Sequence, residues 1–178
     1  MLKNTKNSYG LVTKILHWVV GLLIIGMAIV GFTMSSMAPS AEKFELYKMH
    51  KAFGITVLSL IVIRILWRIT NTNVQAAEGV PPVLQWAAKI GHLLLYIFML
   101  IMPISGALMT RFAGYPISVF DIFTIPAASE KNLELAKFFH TTHEYTALVL
   151  VTLITIHVLA SLYHHFIRRD NTLTRIIK

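Results

Sequence analysis

Apolar residues fall into four long blocks, with polar stretches between them. The blocks are ILHWVVGLLIIGMAIVGFTMSSMA over 15–38, HKAFGITVLSLIVIRILWRI over 50–69, AAKIGHLLLYIFMLIMPISGALMT over 87–110, and a fourth over 143–167. Each is near the ~20 residues that cross a hydrocarbon core of ~30 Å. A segment in lipid must satisfy its own backbone hydrogen bonds, so the blocks predict helices. The pattern therefore predicts an all-α, integral membrane four-helix bundle, a single transmembrane domain over 1–178. Its spans run at about 9–36, 50–69, 84–110 and 143–167.

The polar stretches mark the ends. Ser8 is the expected cap of the first helix. Residues 38–48, APSAEKFELYK, form a short connection, in part helical. Pro81 and Pro82 interrupt the 71–84 loop. Pro103 and Gly106 lie inside the third span and predict a kink. Residues 111–138 form the longest connection, broken at Gly114, Pro116 and Pro126, with a short helix expected from Ser129. The first block is too long for a cleaved signal peptide and lacks a clean cleavage pattern.

Composition agrees: 56% of the 178 residues are hydrophobic and 13% charged, against roughly a quarter charged in soluble domains. There is no cysteine, which excludes disulfides and thiolate metal sites. The net charge is +8. With the N-terminus inside, ten basic residues (Lys3, Lys6, Lys14, Arg64, Arg68, Lys89, Arg168, Arg169, Arg175 and Lys178) lie on the inner side. Six (Lys43, Lys48, Lys51, Arg111, Lys131 and Lys137) lie outside, with six of the eight acids. This places both termini in the cytoplasm. The basic excess suits the inner surface of a lipid bilayer, and no nucleic acid is implied.

Histidines supply the chemistry. His50 and His143 open the second and fourth spans on the outer side, and His17 lies in the first helix near its inner end. His157 follows His143 by fourteen residues. That is ~21 Å along a helix axis, and about 40° from the same face. The natural pairs are His50 with His143 and His17 with His157, at two depths. Neutral imidazoles from facing helices are good axial ligands for haem iron. The arrangement therefore predicts two haem b groups stacked across the membrane. His92 or His164, near the inner ends of their helices, are the alternatives to His17; otherwise they flank the inner haem as propionate or quinone partners. His140 and His165 read as interfacial. Gly21, Gly26, Gly31, Gly54, Gly91 and Gly106, with Ala147 and Ala160, are candidates for making room for the macrocycle; ordinary close packing explains such residues equally.

The chain resembles the bacterial cytochrome b561 family. The resemblance is carried by LHW at 16–18, MHKAFG at 49–54, IVIRILWRI at 61–69, GHLLLY at 91–96, MPISG at 102–106, HE at 143–144, IH at 156–157 and HHFIRRDNTLTRI at 164–176. These stand in family order over almost the whole chain. The resemblance implies an inner-membrane di-haem protein with His17, His50, His143 and His157 as axial ligands. It further implies a superoxide oxidase activity, in which superoxide gives an electron at the outer face and ubiquinone accepts it through the haems.

Three readings then compete. As an enzyme, the chain needs a basic outer mouth, for which Lys48, Lys51, Arg111 and Lys137 are candidates. Its quinone site would draw on Arg64, Arg68, His92, His164, Trp67 and Trp86. As a cytochrome b subunit or membrane anchor, it would serve a separate dehydrogenase or hydrogenase partner; loops of about twelve to thirty residues argue for an independent protein. As a transporter or proton channel it would carry no haem.

Overall fold

Four helices form where polar caps interrupt the apolar blocks. The computed structural model describes residues 1–178. Helix α1 spans Leu11–Ser36, α2 Ala41–Ile69, α3 Pro82–Phe112 and α4 Leu133–Tyr163. All four are long and apolar enough to cross a membrane. Helix α4 continues through a π-helical turn, His164–Arg168, and a last short helix, α5, covers Thr174–Ile177.

Several ends differ from the apolar limits. Ser8 does not cap α1, which begins at Leu11 after Gly10. Ser8 closes a turn with Thr5 instead. The Met1 and Leu2 carbonyls accept the Leu11 and Val12 N–H groups at 3.0 and 3.4 Å, and Asn4 Oδ1 accepts from the Gly10 N–H at 2.9 Å and the Thr13 hydroxyl at 2.7 Å. Helix α2 starts well before His50, because the Ser40 hydroxyl accepts the Lys43 N–H at 3.1 Å. Helix α4 likewise starts at Leu133, where Asn132 accepts the Leu135 N–H at 3.0 Å. The short helix expected from Ser129 is thus the first turns of α4. Helix α3 runs through Pro103 without a break.

The 111–138 connection holds a β-hairpin that the apolar pattern does not announce. Strands β1 (Ile117–Val119) and β2 (Phe123–Ile125) pair antiparallel, with Val119 opposite Phe123. Phe120 and Asp121 turn the corner at φ 52° and 57°, a left-handed conformation costly for phenylalanine. Packing holds it: the Phe120 ring meets Phe53 of α2 at 5.1 Å, and Ile117 and Val119 are buried.

Only 15 of 178 residues are buried. Leu22, Ile29, Leu93 and Leu159 point outward from the middle of the spans. In water such a surface would aggregate; in a bilayer it meets lipid tails.

The buried interior is layered at a spacing of seven residues, nearly two helical turns. The middle layer is Ile24, Val57, Met99 and Leu150, all in one apolar cluster. Seven residues toward one end of each helix stand Gly31, His50, Gly106 and His143. Seven toward the other end stand His17, Arg64, His92 and His157. The second of these layers lies toward the termini, the inner end by the charge count.

The inner end is tied by the segments that meet there. The Asn4 amide donates to Thr72 O at 3.0 Å, and the Gln75 N–H to Lys6 O at 2.8 Å. The C-terminal tail folds back: Arg175 donates to Gln75 O at 3.0 Å, and the Trp18 indole to Ile176 O at 3.1 Å.

Candidate haem-binding site

In the outer layer the His50 and His143 ring centres are 6.4 Å apart. The His143 Nδ1–H donates to the Met102 carbonyl at 2.9 Å. A carbonyl only accepts, so the proton sits on Nδ1 and Nε2 keeps its lone pair for a metal. His50 Nδ1 is buried with no partner. A glycine backs each ring. A Cβ on Gly31 would lie 3.4 Å from His50 Cε1, and one on Gly106 only 2.9 Å from His143 Cε1.

In the inner layer His17 and His157 are 6.1 Å apart, centre to centre. His92 lies 5.6 Å from His157, so three imidazoles from α1, α3 and α4 crowd one level. An Arg64 guanidinium nitrogen is 2.8 Å from His17 Nδ1. Guanidinium only donates, so Nδ1 accepts and Nε2 carries the proton. Metal binding through Nε2 therefore requires that proton to leave or Arg64 to let go. Neither Arg64 nor Arg68 reaches a carboxylate. Both lie over the Tyr96 ring, at 5.6 and 5.1 Å.

These residues fit haem. Two imidazole nitrogens, each about 2.0 Å from one metal ion on opposite sides, set the ring centres roughly 6 Å apart. Both intended pairs have that spacing, and the glycines keep the rings close to the neighbouring helix. Arginines within a span need an anion, and haem propionates are anionic. The remaining small residues contribute less clearly. A Cβ on Gly21, Gly26 or Gly91 would meet nothing within 4 Å, and one on Gly54 only Met27, at 3.9 Å. Ala147 is half-buried and Ala160 exposed.

Two of the four outer cations expected to form a basic mouth already have partners. Lys48 is 3.2 Å from Asp121, and Arg111 donates from Nε to Pro126 O at 2.9 Å. The Ser118 hydroxyl and then Lys48 hold the Asp121 carboxyl below its ordinary range. A cavity of about 250 Å³ beside Met49 is lined by Glu45 and Asp121 as well as Lys48, so it is not basic overall. Half-buried Lys51 and exposed Lys137 have no carboxylate partner. On the inner side, Arg64, Arg68 and His92 share the His157 end of the bundle. The Trp67 indole donates to Thr13 at 3.0 Å. Trp86 is exposed, with the Lys89 ammonium 4.7 Å from its ring. His164 pairs with Asp170. His140 is exposed and 3.5 Å from Glu144.

Residues 8–178 match the family described as prokaryotic cytochrome b561. The chain belongs to that family. It is 33% identical to cytochrome b561 homolog 2 of Escherichia coli K12, over 98% of this chain and 93% of that protein. It is 29% identical to cytochrome b561 homolog 1 of the same strain, over 91% and 92%. It is 28% identical to a Yersinia pestis protein named probable superoxide oxidase CybB, over 91% of each. Membership makes the chain a haem b-binding, multi-pass electron-transport protein of the bacterial inner membrane.

Two polar residues of this cytochrome b561 stand out beyond those expected from sequence. Tyr96 joins the inner arginines; its signal was its place four residues after His92, on the same helix face. Asp170 is the other. Its Oδ2 is 2.6 Å from His164 Nδ1, and its Oδ1 accepts the Thr172 N–H at 2.9 Å. Burial pushes the Asp170 carboxyl up, but hydrogen bonds from Thr172 and His164 outweigh it and leave it at about 2. A carboxylate six residues past a histidine has no helical signal; the π turn and the left-handed Arg169 (φ 54°) bring it back.

Proposed function

We propose that this cytochrome b561 is a di-haem b superoxide:ubiquinone oxidoreductase. His50 and His143 hold the outer haem, and His17 and His157 the inner one. The observation that carries this reading is the repetition of one imidazole spacing, 6.4 and 6.1 Å, at two levels fourteen residues apart on α4. When bound, the haems supply one-electron relay between the two faces.

The chain's residues do the rest. Two superoxide anions each lose one electron outside and leave as O₂. One ubiquinone gains both electrons and two protons inside. The Met102 carbonyl fixes the His143 tautomer, and the apolar middle layer separates the levels and excludes water. Lys51 and Lys137 are the outer cations left to draw an anion in. Arg64, Arg68, His92 and Tyr96 offer donors to propionates and to a quinone carbonyl. The name of the Yersinia pestis relative agrees with this substrate.

The test is anaerobic mixing of oxidised, purified protein with a superoxide stock. Fast haem reduction with O₂ release, then reoxidation by added ubiquinone, is expected. Haems that stay oxidised sink the enzyme reading.

The second reading is a cytochrome subunit for a separate redox partner. Its support is the outer hairpin, where Ile122 is 81% exposed and Tyr115 and Phe123 also face outward. Stoichiometric co-purification of a dehydrogenase would favour it.

A further inference from the structure

The carbonyl that holds His143 has a second claimant. The Ser105 hydroxyl donates to Met102 O at 2.9 Å, the same distance as the His143 Nδ1–H. Ser105 is 2% exposed, so bulk water does not compete for its proton. It stands on α3 just before Gly106, whose backbone lies against the His143 ring. A carbonyl has two lone pairs. In a helix this one also faces the N–H four residues on, at Gly106. Three donors therefore crowd one acceptor, and each weakens the bonds of the others. An opposite effect would come from the hydroxyl accepting the Nδ1–H itself. That contact is 3.4 Å, too long for a strong bond, so donation to the carbonyl wins. Across the outer layer, His50 Nδ1 has no partner. The Met102 bond is thus the one short hydrogen bond this chain supplies to an imidazole of that level, and Ser105 acts on it.

Resting on the assignment of His50 and His143 to the outer haem, we propose that Ser105 is a positioning residue that raises the reduction potential of that haem. A strong bond from Nδ1–H makes the ligand nitrogen more basic. A more basic ligand favours ferric over ferrous iron, because ferric iron carries the extra positive charge, and so it lowers the potential. Ser105 draws on the Met102 lone pairs, weakens the His143 bond and moves the potential the other way. An outer level raised in this manner accepts an electron more readily. The inner level lacks this device, since His17 Nδ1 accepts from Arg64 rather than donating to a carbonyl.

The experiment is a potentiometric titration of full-length, haem-loaded protein, followed optically and by electron paramagnetic resonance. The outer haem is identified as the one missing from His143→Ala. In Ser105→Ala its oxidised-to-reduced ratio at a fixed potential should rise roughly two- to tenfold, a fall of about 18–59 mV in midpoint, with the inner midpoint unchanged. Ser105→Thr keeps a hydroxyl that favours the same carbonyl and should restore the wild-type midpoint. Ser105→Cys, a weaker donor of similar size, should fall between. Thr110→Val is the control: it removes another buried hydroxyl of α3, one that donates to Gly106 O at 3.0 Å and touches no histidine, and both midpoints should stay. A His143→Ala protein that keeps both haems would defeat the ligand assignment itself. If His143→Ala loses one haem, the role of Ser105 is overturned when Ser105→Ala leaves the outer midpoint in place, raises it or shifts both midpoints alike. An equal fall in Thr110→Val overturns it too.

Discussion

Replacing Gly106 with alanine adds one methyl group where the structure has no room. The new Cβ would lie 2.9 Å from His143 Cε1 and 3.1 Å from Nδ1. Carbon atoms settle at about 3.5 Å or more, so ring or helix must give by roughly 0.6 Å. That exceeds the roughly 0.5 Å within which a working ligand geometry must be held, and it strains the 2.9 Å bond to Met102 O. The helix itself gains, since alanine is favoured over glycine in a helix interior by about 0.8–1.0 kcal/mol. The penalty is therefore local, and overpacking of this size costs about 1–3 kcal/mol. Charged to ligation, that is roughly a 5- to 150-fold loss of outer-haem affinity. The assay is haem stoichiometry with low-temperature electron paramagnetic resonance of each haem. Gly106→Ala should fall from two haems toward one, or turn the outer haem high-spin, with the inner signal unchanged. Gly21→Ala, whose Cβ meets nothing, should keep both. A Gly106→Ala protein with two unaltered low-spin signals would show that His143 does not serve as a ligand in this position.

Three further outcomes are expected. His143→Ala should lose the outer haem and His157→Ala the inner one, each leaving about one haem by pyridine haemochrome; a variant that keeps both would remove its histidine from the ligand set. Lys48→Gln should change superoxide-driven haem reduction less than about twofold, because Asp121 already offsets that charge, whereas Lys51→Gln should slow it roughly two- to fivefold at low salt, an effect that salt erases; equal effects would refute this division. Asp170 has a folded pKa of about 2 against an ordinary 3.8. Its contribution to tail docking is thus complete above the ordinary value and is lost as pH falls through about 2. Pepsin cleavage after residue 168 should rise steeply from pH 4 to pH 2, normalised to an unstructured substrate, and a flat profile would contradict it.

The four spans and the histidine pairs were legible because lipid makes hydropathy a strong signal and because fourteen residues bring His157 back to the face of His143. Helix starts were less so. Ser40 and Asn132 are cap residues, but the apolar blocks begin roughly three turns later. The hairpin was hidden because Phe120 is not a residue that a type I′ turn ordinarily uses; its placement depends on Phe53, and that of Asp121 on Lys48, both on α2. The Lys48–Asp121 pair was hidden for a related reason. Lys48 and Asp121 are 73 positions apart, and no local pattern pairs them.

One regularity connects fold to site. In each helix an apolar residue of the middle layer (Ile24, Val57, Met99 or Leu150) is flanked at seven residues by a polar or glycine position. The flanking sets differ. The outer set has two histidines and two glycines, so each ring rests on a backbone with no side chain between. The inner set has three histidines and an arginine, so room there is scarcer and donors are more abundant. The asymmetry suits different tasks at the two levels. On the proposed function, an outer haem level with few polar neighbours would suit a donor that leaves as neutral O₂. On the same proposal, an inner level rich in N–H donors would suit an acceptor whose oxygens gain charge and then protons. One repeat thus sets the distance between the levels and leaves the chemistry to the residue chosen at each step.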